Sequence, residues 1–221
     1  MNLLLFGPPA SGKGTQADLL SERLGIPQVA TGNILRAELA NRSQLGLQAE
    51  AFMQRGDLVP DGLMIGIIRE RLRRPDCRHG FILDGFPRTV PQAQALEELV
   101  SSLGIRFDRV LFLTAPDEEL VRRISGRLTC PLCGHSCFFD PERPRPDHCD
   151  GDGGLFFVRD DDRPETARNR IAVYMANTLP VLDFYRPRGL VSEIDGRGSV
   201  VEVAQRLLGA LDQVPEGVRG A

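Results

Sequence analysis

The sequence predicts an α/β fold, a five-stranded parallel sheet flanked by helices, and three observations lead to this prediction. Apolar segments typical of strands alternate with helical segments along most of the 221 residues, as in right-handed strand–helix–strand units. Three of the strand segments are nearly continuous apolar runs, which is expected for strands buried on both faces of a sheet. Two stretches, 30–73 and 128–159, break the alternation and are therefore interpreted as inserts.

The predicted elements follow one another in a regular order. Strands are predicted at Leu3–Phe6, Gly80–Leu83, Arg109–Leu113 and Leu190–Ile194, which leaves one of the five strands unplaced. Helices beside the sheet are predicted at Thr15–Leu24, Pro91–Leu103, Asp117–Ile124, Arg163–Phe184 and Val200–Leu211. The first insert is predicted to be helical throughout, at Ile34–Ala40, Leu45–Arg55 and Asp61–Arg73.

The composition limits the classes of function. A net charge of −3, with 42% hydrophobic and 26% charged residues, is typical of a globular protein. Proteins that bind nucleic acids non-specifically carry a basic surplus, so we expect no nucleic-acid partner. No apolar run approaches the ~20 residues that span a bilayer, and no basic stretch with an apolar one after it follows Met1. We therefore expect no membrane partner and a cytoplasmic location.

The strongest feature is a glycine-rich stretch between the first predicted strand and the first predicted helix. It matches the pattern G-x-x-x-x-G-K-[ST] with one glycine inserted before the threonine. Glycines let the backbone curl so that several N–H groups face one anion, the helix N-terminus adds its dipole, and the lysine adds a point charge on the β- and γ-phosphates. The predicted phosphate loop consists of Gly7, Pro8, Pro9, Ala10, Ser11, Gly12, Lys13, Gly14 and Thr15.

A second feature lies at the end of the second predicted strand, where Asp84 precedes Gly85-Phe86-Pro87-Arg88. In a parallel sheet this strand is expected beside the first, with its carboxylate facing a metal–phosphate complex. An aspartate at a strand end could instead cap the next helix. The phosphate loop nearby favours the first interpretation.

Six blocks of the sequence resemble adenylate kinases. They are GPPASGKGT (7–15), TGNILR (31–36), GDLVPD (56–61), FILDGFPRT (81–89), RRISGR (122–127) and RDDDRPETARNR (159–170), in the family's order and over nearly the whole chain. The resemblance implies a P-loop kinase that transfers a phosphoryl group reversibly between Mg·ATP and AMP, giving two ADP. A monomer is the default expectation, because large closing motions leave little surface for a permanent partner.

The resemblance also implies a role for each matched residue. The catalytic set is Lys13, Arg88, Arg123, Arg159, Arg170 and Asp84, with Asp84 anchoring Mg²⁺ through its water shell. ATP would contact the phosphate loop together with Arg123, Arg127 and Gly198. AMP would contact Thr31, Gly32, Arg36, Asp57, Leu58, Val59, Gly85, Phe86, Pro87, Arg88, Gln92, Arg159 and Arg170, with the arginines on its phosphate and Gln92 on the adenine edge. Asp161 and Asp162 would help a closed lid reach back across the site.

The same resemblance implies a division into a core and two inserts. The core would comprise 1–29, 60–127 and 160–214, the acceptor (NMP-binding) insert 30–59, with its helical run continuing to about 73, and the lid 128–159. Residues 215–221 are predicted to be a frayed tail. One departure is Asn33, where the family usually has Asp, and it removes a carboxylate near the outer shell of the metal.

The lid stretch contains four of the five cysteines. Cys130-Pro-Leu-Cys133 is a metal-knuckle pattern, and Cys149-Asp-Gly-Asp152 repeats its spacing with a carboxylate in the last position. Zinc accepts sulfur and carboxylate oxygen in tetrahedral structural sites, so we predict structural Zn²⁺ on these four residues. The rival ligands are Cys137, His135 and His148, and a disulfide or a metal-free insert is the alternative.

Other functions remain open at this point. Within the kinase class, the acceptor could be UMP or CMP and the donor could be GTP. Outside it, a phosphate-loop switch protein would hydrolyse nucleotide slowly, although the two sets of arginines have no use there. A zinc ribbon on nucleic acid is disfavoured by the acidic balance of charges.

Overall fold

The computed structural model describes residues 1–139 and 144–212. Its main sheet has five parallel strands in the spatial order β2-β3-β1-β4-β7. The strands are β1 (Asn2–Phe6), β2 (Gln28–Ala30), β3 (Phe81–Asp84), β4 (Arg109–Thr114) and β7 (Val191–Asp195). This order confirms the predicted α/β fold with a five-stranded parallel sheet.

The strand that the sequence left unplaced is β2, at the edge of the sheet beside β3. It has three residues, of which only Val29 is buried, so it lacks the long apolar run that revealed the other strands. Pro27 precedes it, and its carbonyl accepts a hydrogen bond from the Ile82 N–H at 2.9 Å. This segment therefore becomes a strand because it pairs with β3, since its own sequence carries no strong strand pattern.

Helices cover both faces of the sheet. They are α1 (Lys13–Leu24), α5 (Val90–Ser102), α6 (Asp117–Ser125), α7 (Pro164–Val173), α8 (Val181–Tyr185) and α9 (Val200–Asp212). Alternate residues of β1 divide the core: Leu3 and Leu5 pack with apolar side chains of α1 and α9, while Leu4 and Phe6 pack with those of α5 and α8 on the other face. This alternation is the period-two pattern of a strand buried on both sides.

The helix predicted over Arg163–Phe184 is wrong as a single element. A 3₁₀ turn, Asp160–Asp162, precedes α7, which begins at Pro164, where a proline suits the first turn of a helix. After α7 the chain forms a π-helical turn at Tyr174–Thr178 before α8 begins at Val181. The apolar period continues through this change of hydrogen bonding, so the sequence pattern does not reveal it.

The two predicted inserts take different forms. The first contains α2 (Thr31–Ala40) and α3 (Gln44–Arg55), followed by α4 (Asp61–Leu72), which packs against α5. The second contains a short antiparallel hairpin, β5 (Arg127–Thr129) with β6 (Ser136–Phe138). Within the described ranges, no helix is long and apolar enough to cross a membrane. The end of the predicted core, 213–214, and the predicted tail, 215–221, lie outside the described residues.

Candidate active site

The loop from β1 to α1 curls around the N-terminus of α1. Gly7, Ala10 and Gly12 have φ angles of 153°, 62° and 94°, a region that glycine enters easily and alanine enters at a cost. A Cβ at Gly7 would lie 2.7 Å from the Leu113 carbonyl oxygen, so a side chain is excluded there. The loop thus brings its backbone close to the strand ends, with the positive end of the α1 dipole facing the same space.

Lys13 closes this loop. Its Nζ donates to the carbonyl oxygens of Gly7 at 2.7 Å and Pro8 at 2.8 Å. Loss of solvent around the amine lowers the pKa of Lys13 to about 8, against the opposing effect of Asp84 and with further lowering by nearby arginines such as Arg88. The amine is therefore held in place next to the helix N-terminus, in surroundings that favour an anionic ligand.

The protonation of Lys13 can be measured directly, because it is the only lysine in the sequence. In protein labelled with ¹³C-lysine, we expect one lysine side-chain resonance that titrates near pH 8 and not at the ordinary 10.5. The charged amine attracts phosphate, so ATP should raise this midpoint, and affinity for ATP should fall above pH 8 as the proton is lost. The measurement is an NMR titration with and without ATP.

Asp84→Asn is the matched control for this titration. Asp84 favours the charged amine, so its neutralisation should move the midpoint below that of the unchanged protein. A resonance that titrates at the ordinary lysine value in the absence of ligand would contradict the prediction.

Asp84 lies where the sequence placed it, at the end of β3 and in register with Leu5 of β1. Its carboxylate accepts a hydrogen bond from Gln28 Nε2 at 3.2 Å. Burial raises the pKa of Asp84, and the charges of Lys13 and Arg88 act in the opposite direction. An acidic group beside a phosphate loop is suited to a hydrated divalent cation.

Three arginines of the predicted catalytic and ATP sets lie around the buried carboxylate of Asp162: two of them bind it, and the third lies beside it. Asp162, whose side chain is fully buried, accepts hydrogen bonds from Arg127, including one from Nε at 2.7 Å, and from Arg170 Nη1 at 2.8 Å. Arg170 also pairs with Asp161 at 2.9 Å. Arg159 donates to the Ser136 hydroxyl at 2.9 Å. The 3₁₀ turn before α7 thus fixes the base of the lid and the arginines around it.

The arginines repel one another. Burial, together with the charges of Arg36 and Arg127, lowers the pKa of Arg159 to about 10, while nearby aspartates act in the opposite direction. Burial also lowers the pKa of Arg36, and Arg170 and Arg127 add to that effect. Guanidinium groups crowded in this way gain stability when an anion comes between them, which marks the space as a phosphate site.

A separate group of residues forms the predicted acceptor pocket. The Thr31 hydroxyl donates to the Gly85 carbonyl at 3.0 Å, and Arg88 Nε donates to the same carbonyl at 2.7 Å. Gln92 is buried, and its Oε1 accepts from the Arg88 N–H at 2.7 Å while its Nε2 donates to Asp61 at 2.6 Å. The turn after β3 is therefore held by hydrogen bonds to Thr31 and Gln92, and Arg88 lines both cavities at this turn.

Most of the predicted nucleotide-binding residues line two adjoining cavities. A cleft of about 720 Å³ is lined by all the predicted ATP residues except Pro8, namely Gly7, Pro9, Ala10, Ser11, Gly12, Lys13, Gly14, Thr15, Arg123, Arg127 and Gly198. A pocket of about 80 Å³ beside it is lined by ten of the predicted AMP residues, namely Thr31, Gly32, Arg36, Asp57, Leu58, Val59, Gly85, Arg88, Gln92 and Arg170. The other three, Phe86, Pro87 and Arg159, line the larger cleft.

The cleft also contains residues that the sequence did not assign. Ser136, Gln16, Tyr174 and Thr178 line it. Thr178 belongs to the π-helical turn, and its hydroxyl donates to the Arg88 carbonyl at 3.1 Å. No spacing pattern marks Ser136, Tyr174 and Thr178, because the lid hairpin and the π turn bring them to the cleft through long-range contacts. Gln16 lies in α1, directly after the phosphate loop.

The four predicted metal ligands lie together in the lid. The ligand atoms of Cys130, Cys133, Cys149 and Asp152 are all within 4.8 Å of one another. Cys133 Sγ lies 3.8 Å from Cys149 Sγ, and Cys130 Sγ lies 3.1 Å from Asp152 Oδ1. A tetrahedron with Zn–S bonds of about 2.3 Å and a Zn–O bond of about 2.0 Å has edges of about 3.8 Å between sulfurs and about 3.5 Å from sulfur to oxygen. The donor set therefore fits zinc.

The two halves of this cluster have the same backbone hydrogen bonds. In each half the first ligand's N–H donates to the carbonyl five residues on, from Cys130 to His135 and from Cys149 to Gly154, both at 2.8 Å. Gly134 and Gly153, which follow the last ligand of each half, have φ angles of 74° and 72°. Two matching turns thus converge on one point, as two knuckles of a metal site do.

The rival ligands lie elsewhere. Cys137 is on β6, paired across the hairpin with Leu128, and it lines the nucleotide cleft together with His135. His148 forms a bridge with Leu155 and is outside the cluster of ligand atoms. The ligand atoms that converge between the knuckles therefore do not include those of the three rivals.

A parallel sheet with a phosphate loop after its first strand defines the class of P-loop nucleotide-binding proteins. The adenylate kinase family model matches residues 5–190. The chain is 45% identical over 215 residues to the adenylate kinase of Archaeoglobus fulgidus, with 97% of this chain and 99% of that protein covered. It is 48% identical over 212 residues to that of Syntrophotalea carbinolica (96% and 98% covered) and 46% over 205 residues to that of Lysinibacillus sphaericus (92% and 94% covered).

The chain belongs to the adenylate kinase family. It is a phosphotransferase of the nucleoside monophosphate kinase class.

Proposed function

We propose that the chain transfers a phosphoryl group reversibly between Mg·ATP and AMP, ATP + AMP = 2 ADP, and so balances the adenine nucleotides. The observation that carries this proposal is the sharing of arginines between the two cavities. Arg36, Arg88 and Arg170 line both the large cleft and the small pocket beside it. Positive charge at the junction of two adjoining cavities is what the transfer of one phosphoryl group between two anions requires.

Phosphoryl transfer requires the protein to position the two nucleotides and to stabilise the negative charge of the transferred group. The phosphate of AMP is already an anionic nucleophile, so the transfer needs no general base. The donor phosphates would lie against the phosphate loop and Lys13, and the acceptor phosphate against Arg36 and Arg88. Arg123, Arg127, Arg159 and Arg170 would surround the transferred group, where planar guanidinium forks bind phosphate oxygens in pairs.

Magnesium is the cofactor proposed with ATP. Asp84 would hold the hydrated ion, since its carboxylate stands at the strand end beside the phosphate loop. When bound, the ion neutralises charge on the β- and γ-phosphates. The protein's own contribution is to keep that carboxylate in place, through the hydrogen bond from Gln28.

The proposed domain division follows the expected one. The core is 1–29, 60–127 and 160–214, the acceptor insert is 30–59 and the lid is 128–159. The inserts would close over the two nucleotides and exclude water, which otherwise competes with AMP for the phosphoryl group. A monomer in the cytoplasm, with ATP, AMP and ADP as its small-molecule partners, completes the proposal.

A panel of AMP, UMP, CMP and GMP, each with ATP and with GTP, tests this function. We expect ATP with AMP to give ADP fastest, and the reverse reaction from ADP alone to give ATP. Faster transfer to UMP or CMP would identify a different acceptor. Hydrolysis of ATP without transfer to any monophosphate would favour the phosphate-loop switch and overturn the proposal.

For the lid we propose a structural Zn²⁺ on Cys130, Cys133, Cys149 and Asp152. All four ligands of the tetrahedral ion come from the protein, which leaves no coordination position open for catalysis. Two backbone N–H groups support the sulfurs: those of Leu132 and His135 each lie 3.4 Å from the Sγ of the cysteine two residues before them. A lid of this size can bury little apolar surface, so a bound metal ion would stabilise its fold.

Removal of this metal should destabilise the lid with little effect on transfer at low temperature. We expect metal analysis to find one zinc per chain, and a strong chelator to lower the melting temperature by roughly 5 °C. Asp152→Ala should lose the metal, while Asp150→Ala, two residues away and exposed, should keep it. Purified protein without zinc, or equal retention by both variants, would contradict the site.

A further inference from the structure

The Arg36 guanidinium is held by two residues of its own helix. Arg36 lies on α2, and its Nη2 donates to Asn33 Oδ1 at 2.6 Å. A Cβ added at Gly32 would come within 3.2 Å of Nη2 and 3.3 Å of Nη1, so the missing side chain there leaves room for the guanidinium. The Arg36 side chain therefore folds back toward the start of α2, where Asn33 fixes its direction.

We propose that Asn33 is a positioning residue for the acceptor phosphate, because its neutral amide orients Arg36 and leaves the full positive charge available. The inference rests on the proposed function, in which Arg36 contacts the AMP phosphate. Asn33 and Arg36 both line the nucleotide cleft. The amide oxygen accepts a hydrogen bond as a carboxylate does, but it adds no charge that competes with phosphate for the same guanidinium.

The charges around Arg36 support this role. The carboxylates whose charges act on the Arg36 guanidinium are Asp161 and Asp162. Both already pair with Arg170. Arg36 is thus the member of this group whose side-chain partner is an uncharged amide. A carboxylate at position 33 would add an ion pair with Arg36 to those that Arg127 and Arg170 already form with the aspartates. It would thereby reduce the positive charge that faces the acceptor.

The helix itself would favour an acid at this position. Asn33 stands in the first turn of α2, where the structure has no acidic residue. A carboxylate there would stabilise the helix by about 0.3–1 kcal/mol through its dipole. A neutral side chain at position 33 lacks that stabilisation, so helix formation does not explain why asparagine stands there. The need to leave the positive charge of Arg36 unpaired by a carboxylate explains it better.

Binding of AMP and of adenosine, measured by equilibrium dialysis in buffer without Mg²⁺, tests the inference. Adenosine lacks the phosphate, and the absence of Mg²⁺ excludes any effect through the metal. Asn33→Asp should weaken AMP binding about fivefold and Asn33→Ala about twofold, with adenosine binding unchanged in both. Asn41→Asp is the matched control, because it adds the same charge at the exposed end of the same helix and should bind AMP normally.

The outcomes separate this inference from the proposed function. The deficit of Asn33→Asp should shrink as salt is raised, since screening weakens the competing ion pair. Unchanged or tighter AMP binding by Asn33→Asp would overturn the inference, as would an equal loss for adenosine, which would indicate general damage to the pocket. If the unchanged protein bound AMP but formed no ADP with ATP, the proposed function would fail while the positioning of Arg36 stood.

Discussion

Replacement of Lys13 by methionine is expected to lower kcat for phosphoryl transfer about 10³-fold, which corresponds to about 4 kcal/mol of transition-state stabilisation. The amine stands between the phosphate loop and Asp84, and within this chain no other lysine exists to substitute for it. Methionine is unbranched like lysine and one atom shorter, so it keeps the apolar stem and removes the amine with its charge and its hydrogen bonds to the Gly7 and Pro8 carbonyls. Steady-state assay of ADP formation at saturating nucleotides provides the measurement.

Two further measurements make this result interpretable. Arg73→Met removes one positive charge at the exposed end of α4 and should leave kcat unchanged, so it controls for net charge. Melting curves of Lys13→Met should lie close to those of the unchanged protein, because the loss of two hydrogen bonds is offset by removal of a charge held away from solvent. A kcat within tenfold of normal in a folded Lys13→Met protein would refute the assignment of Lys13 to the transferring phosphates.

Asp162→Ala is expected to cause the largest loss of stability among single changes at the site. Its fully buried carboxylate pairs with Arg127 and Arg170. Its removal takes away the carboxylate that binds Arg127 and leaves Arg170 with Asp161 alone. Removing one partner of a buried pair costs about 3 kcal/mol, which for a chain of this size lowers the melting temperature by roughly 6–12 °C. We also expect slower transfer, because both arginines lose their orientation.

The neighbouring aspartate supplies the control. Asp160 belongs to the same 3₁₀ turn, but its side chain is 80% exposed and pairs with the exposed Arg163. Exposed pairs contribute less than about 1 kcal/mol, so Asp160→Ala should melt within 2 °C or so of the unchanged protein. Calorimetry measures the melting temperatures of both variants. Equal decreases for Asp160→Ala and Asp162→Ala would contradict the role given to Asp162.

The same three aspartates show what the sequence can and cannot predict. Local features predicted the phosphate loop and Asp84, because a strand, a glycine-rich turn and a helix in succession leave few alternatives. Residues 160–162 are three identical side chains in a row, and nothing local tells which one is buried. Only the docking of α7 against the lid base decides that Asp162 faces Arg127 while Asp160 faces solvent.

Long-range pairing explains the other differences. The edge strand β2 is three residues long and becomes a strand through its neighbour β3, so its own sequence could not reveal it. The metal ligands show the opposite case: the two-residue gaps selected the four residues that the structure brings together, and the pairing of β6 with β5 removed Cys137 from competition. Spacing predicts a turn well, whereas the partner of a strand is a property of the whole fold.

The pairing of Arg127 with Asp162 has a consequence for the lid as a unit. Arg127 lies two residues after the end of α6 and Asp162 two residues before the start of α7. Their ion pair therefore makes the segment between them a loop whose ends already meet. The free energy of closing such a loop changes only slowly with its length. Versions that are shorter, longer or built without cysteines should therefore be exchangeable as cassettes, provided that the arginine and the aspartate at the junction are kept.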